Sequence, residues 1–362
     1  MNLLKNQRLY KLTTLFSAVL FVSSSQANYE KTQICSKTKT NRCIGVFTTQ
    51  DSTKKFLKNF SPTSDVTNLN IWKRDFETQF PAVYKALGVS EMTLEEKVKA
   101  FRILKKDPSK IDDVFNTLKK ELESTIPAFI DSYPKLKTEN IQIFIAPSLQ
   151  KTHASVFTTA EGFQKAVSEV NSDKKVFNIF FAPDKIYVNQ YEKNRDYNWK
   201  HLVYRELIQV TNFSISNVSG FWAKQNKLAR SLWSEGVASV GAKQGSGSQS
   251  FLASQNAKLN KACKRKFVIW KSDLINDLPK ITIPILTNNS SEKAYKKWFG
   301  EGSEEAFGFN SVGYCMSYVT VAYLTDKVGF DKIISMESGQ ALPLFKKALK
   351  EIRQEQVDAV FN

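Results

Sequence analysis

Histidine is nearly absent from this chain, with His153 and His201 the two among 362 residues. Catalytic zinc takes three protein ligands, most often neutral imidazoles, and keeps a fourth position for water, so a His-rich metal centre is excluded. Cysteine is scarce as well, and its four residues show no C-x-x-C spacing, which excludes a four-Cys metal site. Neither His is accompanied by the G-x-S-x-G elbow that frames many Ser-His-Asp triads. The Gly245-Ser246-Gly247-Ser248 run has no Lys-Ser or Lys-Thr after it in P-loop spacing and no strand before it, so 241–250 reads as a loop, not a phosphate cradle. After the first 27 residues no apolar run approaches the roughly 20 residues needed to span a bilayer, and no internal repeat is visible.

Positive charge is what the chain has in excess. Lys and Arg number 52 against 35 Asp and Glu, a formal charge of +17. Residues 1–27 read as a secretory signal: Lys5, Arg8 and Lys11 form a basic start, Leu12 to Val22 an apolar core, and Ser25-Gln26-Ala27 a small-x-small cleavage site. Its removal leaves 17 − 3 = +14 on 362 − 27 = 335 residues. The expected product is exported, periplasmic or secreted, with no transmembrane anchor. Its charge favours salt-sensitive contacts with anionic partners, envelope polymers among them. The cations fall in short clusters such as Lys119-Lys120, Lys264-Arg265-Lys266 and Lys346-Lys347, interleaved with acids, as solvated helix faces do. No specific nucleic-acid motif is present.

Export and an even cysteine count predict disulfides. Cys35 and Cys43 bracket a short polar loop before the strand-like 44–47, which suits a bridge pinning a hairpin, and Cys263 would then pair with Cys315 by elimination. Four cysteines allow three connectivities, and all three stay open at this level.

The expected fold class is α+β, predominantly helical. Helical periodicity covers 69–87, 93–105 with a Thr93-x-x-Glu96 capping signature, and 109–130. Strands are expected at 141–147 and 176–183, with the polar 152–162 between them as a loop carrying His153. Helices follow at 251–271, 291–300, 312–328 and 341–361, with a short extended piece at 282–286 and a helix stop at Gly329. In domain terms this gives a signal at 1–27, an N-terminal extension at 28–64, a helical lobe at 65–136, a core at 137–245 and a helical C-terminal part at 246–362. The aromatic stretches 187–199 and 221–222 suit core or cleft wall, and as a surface they would fit an extended peptide or a glycan. Asn212 and Asn217 head two glycosylation sequons.

One stretch organises the chain. In 199–210, apolar residues at 202, 203, 207, 208 and 210 leave a polar stripe through His201, Arg205 and Gln209, so it reads as a helix. Arg205-Glu206-x-x-Gln209 has the geometry of H-E-x-x-H, in which two His four residues apart hold a metal and the Glu is general base. Downstream, Leu232-Trp233-Ser234-Glu235-Gly236-Val237-Ala238 offers Glu235 where a third ligand would come from. Residues 157–243 thus resemble the predicted zinc-dependent proteases of the gluzincin type, and the likeness extends to 313–324.

The resemblance implies a zincin-like core with a small sheet over the motif helix and an edge strand beside a substrate cleft. It places Glu206 at the general-base position and Glu235 at the third-ligand position. Arg205 and Gln209 stand where the family has its two His, and Ser239 stands where relatives often carry an acidic residue supporting the metal. A guanidinium does not deprotonate in proteins, so Arg205 puts a fixed cation where a neutral donor is needed. No cofactor is therefore expected, and Arg205 would instead pair with Glu235 across the two helices, with Gln209 adding a hydrogen bond.

Three readings of function follow. In the first, the chain is an exported, catalytically inactive member of this family that keeps the scaffold as a binding or structural module. In the second, it is a metal-dependent peptidase or hydrolase using Glu206 with an atypical ligand set. A third is a basic protein adhering to anionic envelope polymers. Glycoside hydrolysis by Glu206 and Glu235 is disfavoured, because Arg205 should depress both pKa values whereas a general acid needs one raised. Cys-His catalysis requires a free thiol, which disulfides would remove. Cleft residues, if a cleft is present, would include His153, His201 and Ser239.

Overall fold

The computed structural model describes residues 29–39, 41–152, 154–159, 176–193, 198–215, 227–247, 257–278, 288–300, 302–309 and 311–361. The signal segment, His153, the extended piece at 282–286, the Asn217 sequon and the aromatic pair at 221–222 lie outside them.

A hairpin opens the described chain. Strands β1 (Glu30–Cys35) and β2 (Cys43–Thr48) pair antiparallel, with Cys35 opposite Cys43 and bridged to it. The loop between them is bolted to a long helix behind it. Arg42 donates to the carbonyls of Ile130, Tyr133 and Leu136 at 2.9, 2.8 and 3.1 Å, and Thr38 donates to Asp131 at 2.7 Å. A cation on the last free carbonyls of a helix satisfies groups that have no partner within it and meets the negative end of its dipole.

From β2 the chain leaves the sheet through α1 (Gln50–Lys58), α2 (Asp65–Trp72), α3 (Pro81–Ala86), α4 (Leu94–Lys106) and α5 (Pro108–Ser132). The helical pattern read through 69–87 is interrupted: the chain widens to a π turn at 73–77 and restarts at Pro81. Proline has no N–H to give to the preceding turn but suits the first position of a new helix. The Thr93 and Glu96 capping box forms as the sequence predicts. Helix α1 was not evident from periodicity, because polar Gln50, Ser52 and Thr53 are among its buried residues.

This helical excursion lets β3 (Ile141–Ile145) return parallel to β2, as a parallel pair requires. Next comes β4 (Ala154–Thr159), within the polar segment expected to be a loop, and then β5 (Val176–Phe181). The order is β1-β2-β3-β5-β4, with parallel pairs in the middle and an antiparallel pair at each edge. Strand β5 is buried along its whole length and β3 nearly so, which accounts for their continuous apolar runs. Register places Phe47, Phe144 and Phe180 side by side, and Phe80 packs on Phe144 with ring centroids 4.4 Å apart.

After β5 come α6 (Pro183–Tyr187), a π turn at 188–192, α7 (Trp199–Ile215), α8 (Lys227–Ser246), α9 (Ala257–Asp277), α10 (Asn288–Phe299), α11 (Gly302–Phe307), α12 (Val312–Val328), α13 (Phe330–Ile334), α14 (Ser338–Glu351) and α15 (Gln354–Phe361). The fold is α+β, predominantly helical, with one small mixed sheet. Among the described residues one apolar core runs from Ile44 to Val357. Cys263 on α9 is bridged to Cys315 on α12. Two disulfides are compatible with an oxidising compartment, and no described helix is long and apolar enough to cross a membrane.

The largest departure from the sequence reading is at 241–246, which continues α8 instead of forming a loop. Its glycines serve close approach. A Cβ on Gly241 would lie 2.6 Å from Phe330 and 2.9 Å from Ile208, one on Gly245 2.3 Å from Tyr204, and one on Gly236 2.6 Å from the Ser317 carbonyl oxygen. Gly241→Ala is therefore expected to overpack the α7–α8 crossing and cost about 1–3 kcal/mol, read as a lower thermal midpoint. An unchanged midpoint would mean that the two helices have room to spare.

Candidate functional site

Helix α7 starts at Asn198, whose side chain accepts from the His201 N–H at 2.8 Å as an N-cap. The polar stripe read from its sequence does not face water: His201, Arg205 and Gln209 are all buried, as is Glu206. A helix buried on every side must find partners for each polar group within the protein. Helix α7 packs against β4 and β5 on one side and α8 on another, and α12 packs on α8. The close α7–α8 approach permitted by Gly241 and Gly245 brings Glu235 of α8 to Arg205.

The guanidinium of Arg205 binds two carboxylates at once. One terminal nitrogen, Nη1, donates to Glu206 Oε1, and the other, Nη2, donates to Glu235 Oε2. Gln209 Nε2 donates to Glu235 Oε1 at 3.4 Å. Tyr314, at the start of α12, places its ring 5.9 Å from the guanidinium carbon, within cation–π reach. From Tyr314 an aromatic row continues to Phe299 at 5.1 Å and on to Tyr295 at 5.5 Å. Gly313 makes room for it, since a Cβ there would sit 2.7 Å from the Phe299 ring.

Burial and charge pull the site in opposite directions. Burial disfavours the charge of Arg205, but Glu235 and Glu206 override it and hold its pKa above the ordinary arginine value. Glu206 is raised from its ordinary value by burial, which outweighs Arg205, and Glu235 adds to the rise. This corrects the expectation that Arg205 depresses both carboxylates: for Glu206, desolvation wins. The Tyr314 hydroxyl is held well above its usual pKa by Glu235 first and by burial second. Two atoms in this cluster have no hydrogen-bond partner, Glu206 Oε2 and Arg205 Nε.

The other residues singled out by sequence sit as follows. His201 lies one turn before Arg205, with Nδ1 3.4 Å from Ser246 Oγ, and is buried. Ser239 is fully buried and its hydroxyl donates to the carbonyl of Glu235 in its own helix at 2.5 Å. Asn212, the first sequon, is buried and donates to the Ile334 carbonyl at 2.8 Å, which closes it to glycosylation in the folded chain. Tyr314, Tyr295 and Phe299 are site residues that sequence reasoning did not identify. Gly313-Tyr314 opening a helix was visible, but nothing local tells which helix it meets.

The donor set does not fit zinc. Arg205 offers no lone pair, and both oxygens of Glu235 accept from Arg205 and Gln209. Among the described residues no group of three His, Cys, Asp or Glu is placed to hold a metal ion. No protein family, curated protein or solved structure matches the chain.

The environment of His201 yields a pH prediction. Burial, and then Arg205, lower its pKa from 6.5 to about 4. A depressed pKa means that the folded chain resists protonation, so this contribution to stability is full above pH 6.5 and is lost as pH falls toward about 4. Glu206 has the opposite sign: its raised pKa gives a contribution that is full below 4.5 and lost as pH rises through its folded value. The stability difference between the native chain and His201→Gln should therefore change by about 3 kcal/mol between neutral pH and pH 4. Parallel pH profiles in denaturant unfolding would show that His201 titrates as in water.

Proposed function

We propose that this chain is an exported, metallopeptidase-like protein of the gluzincin type in which Arg205 has taken the place of the metal, and that it acts as a non-catalytic binding or structural module. The observation that supports this most is the double pairing of one guanidinium. Arg205 joins Glu206, at the general-base position, to Glu235, at the third-ligand position. Zinc would carry two charges and an open coordination site for water; Arg205 carries one charge and no such site. The helices are linked, but no water is activated there. The strand order, with an antiparallel edge strand packed on α7, agrees with the expected sheet over the motif helix.

A binding role would use what stays accessible. Half-buried Tyr295 and Tyr314 offer aromatic faces with polar edges beside Glu235, which suits a peptide or a glycan. The competing reading, hydrolysis by Glu206, has one observation in its favour: Oε2 is unpartnered and the carboxyl is raised in pKa, as a general acid or base would need. Against it, the side chain is 1 % exposed, which leaves substrate no approach in this conformation.

Elemental analysis of protein purified without chelator, with and without added zinc, tests the proposal. No stoichiometric zinc is expected in either case. Stoichiometric zinc that Glu235→Ala abolishes would overturn the reading and restore a peptidase with an unusual ligand set. Stability gives a second test. Arg205→Met strands the buried Glu206 and the half-buried Glu235 and should cost about 3–5 kcal/mol, whereas the triple change Arg205→Met, Glu206→Gln, Glu235→Gln should recover most of it. A melting temperature indifferent to Arg205→Met would refute the pairing.

A further inference from the structure

Helix α9 carries six cations, Lys258, Lys261, Lys264, Arg265, Lys266 and Lys271, before its first acid at Asp273. Its inner face is settled by packing: Leu259, Cys263, Phe267, Trp270 and Leu274 are buried, and Cys263 is bridged to Cys315. Two further contacts hold the helix in place. Lys271 Nζ donates to the Ile352 carbonyl at 2.5 Å, and Gln354 donates to the Lys264 carbonyl at 2.7 Å. With the inner face fixed, a helix of about 100° per residue brings Lys258, Lys261, Arg265, Ile269 and Ser272 into one outward arc of roughly 80°, and all five are exposed.

One feature of this arc is costly for a helix designed only for its own stability. Ile269 is 68 % exposed, the most open of the large apolar side chains among the described residues, and it stands one turn beyond Arg265. A rigid cationic arc with a protruding aliphatic side chain has the chemistry of an interfacial helix: phosphate headgroups pair with the cations while the apolar group enters the acyl boundary. A nucleic acid would use the cations but would leave Ile269 in water.

We propose that the outward face of α9 docks the protein on an anionic phospholipid surface, with Lys261 and Arg265 meeting headgroup phosphates and Ile269 inserting. This surface lies on a different helix from the Arg205 cluster, and its test does not depend on that site.

The test is co-sedimentation of the full chain with vesicles of phosphatidylcholine alone or mixed with phosphatidylglycerol, at low and high salt. Binding is expected to the mixed vesicles only, and to weaken steeply with salt. Lys261→Gln with Arg265→Gln should weaken it about 25-fold, roughly fivefold per cation. Ile269→Ser should weaken it about tenfold while leaving the salt dependence unchanged. All three positions are on the surface, so circular dichroism melts should match the native chain. Equal binding to both vesicle types, no binding, or variants that bind like the native chain would overturn the proposal. So would tighter binding to a DNA duplex that Ile269→Ser leaves intact, which would assign the face to nucleic acid.

Discussion

One buried cation between two carboxylates is the constraint around which the C-terminal half is arranged. Taking Arg205 and Glu206 out of water is costly, and the cost is offset only if both ends of the guanidinium find partners at close range. Several features of the surrounding structure serve that requirement. Glycines 236, 241 and 245 let α8 lie close enough to α7 and α12 for Glu235 to reach across. Asn198 caps α7 so that its buried length begins in register. Tyr314 closes the remaining face of the guanidinium with a ring.

The sheet and the disulfides work as the frame for this arrangement. The buried strand β5, with edge strand β4, gives α7 a surface to lie against, and the helical lobe between β2 and β3 is what allows that pair to run parallel. At one end the Cys35–Cys43 hairpin is held to the C-terminus of α5 through Arg42. At the other, Cys263–Cys315 holds α9 to α12, the helix that supplies Tyr314. The same bridge fixes which side of α9 is turned outward, so one covalent link serves both the Arg205 cluster and the cationic face.

Much of this was legible in the residues. Strands β3 and β5, the Thr93 capping box, α12 with its stop at Gly329, and the pairing of Arg205 with Glu235 follow from period, caps and charge. Other parts were not. Strand β4 is polar because it lies at a sheet edge, and polarity at an edge looks the same as a loop. The Gly and Ser at 241–246 suggested a turn, yet they are helical because only glycine fits the crossing. The sign of the Glu206 shift depends on how deeply it is buried, a quantity that no spacing rule contains.

What composition and spacing decided is the kind of chain this is: helix-rich, strongly basic, with an even set of cysteines and a fixed cation, Arg205, on the polar stripe of an otherwise apolar helix. These properties are local, because periodicity, propensity and the chemistry of a guanidinium do not depend on distant neighbours. The tertiary structure decided what the charges do. It determined that Arg205 serves Glu206 as well as Glu235, that the polar stripe of α7 faces protein and not water, and that Lys261, Arg265 and Ile269 share one exposed face of α9. Each of these depends on which helix lies against which, and that is set by packing between residues far apart in sequence.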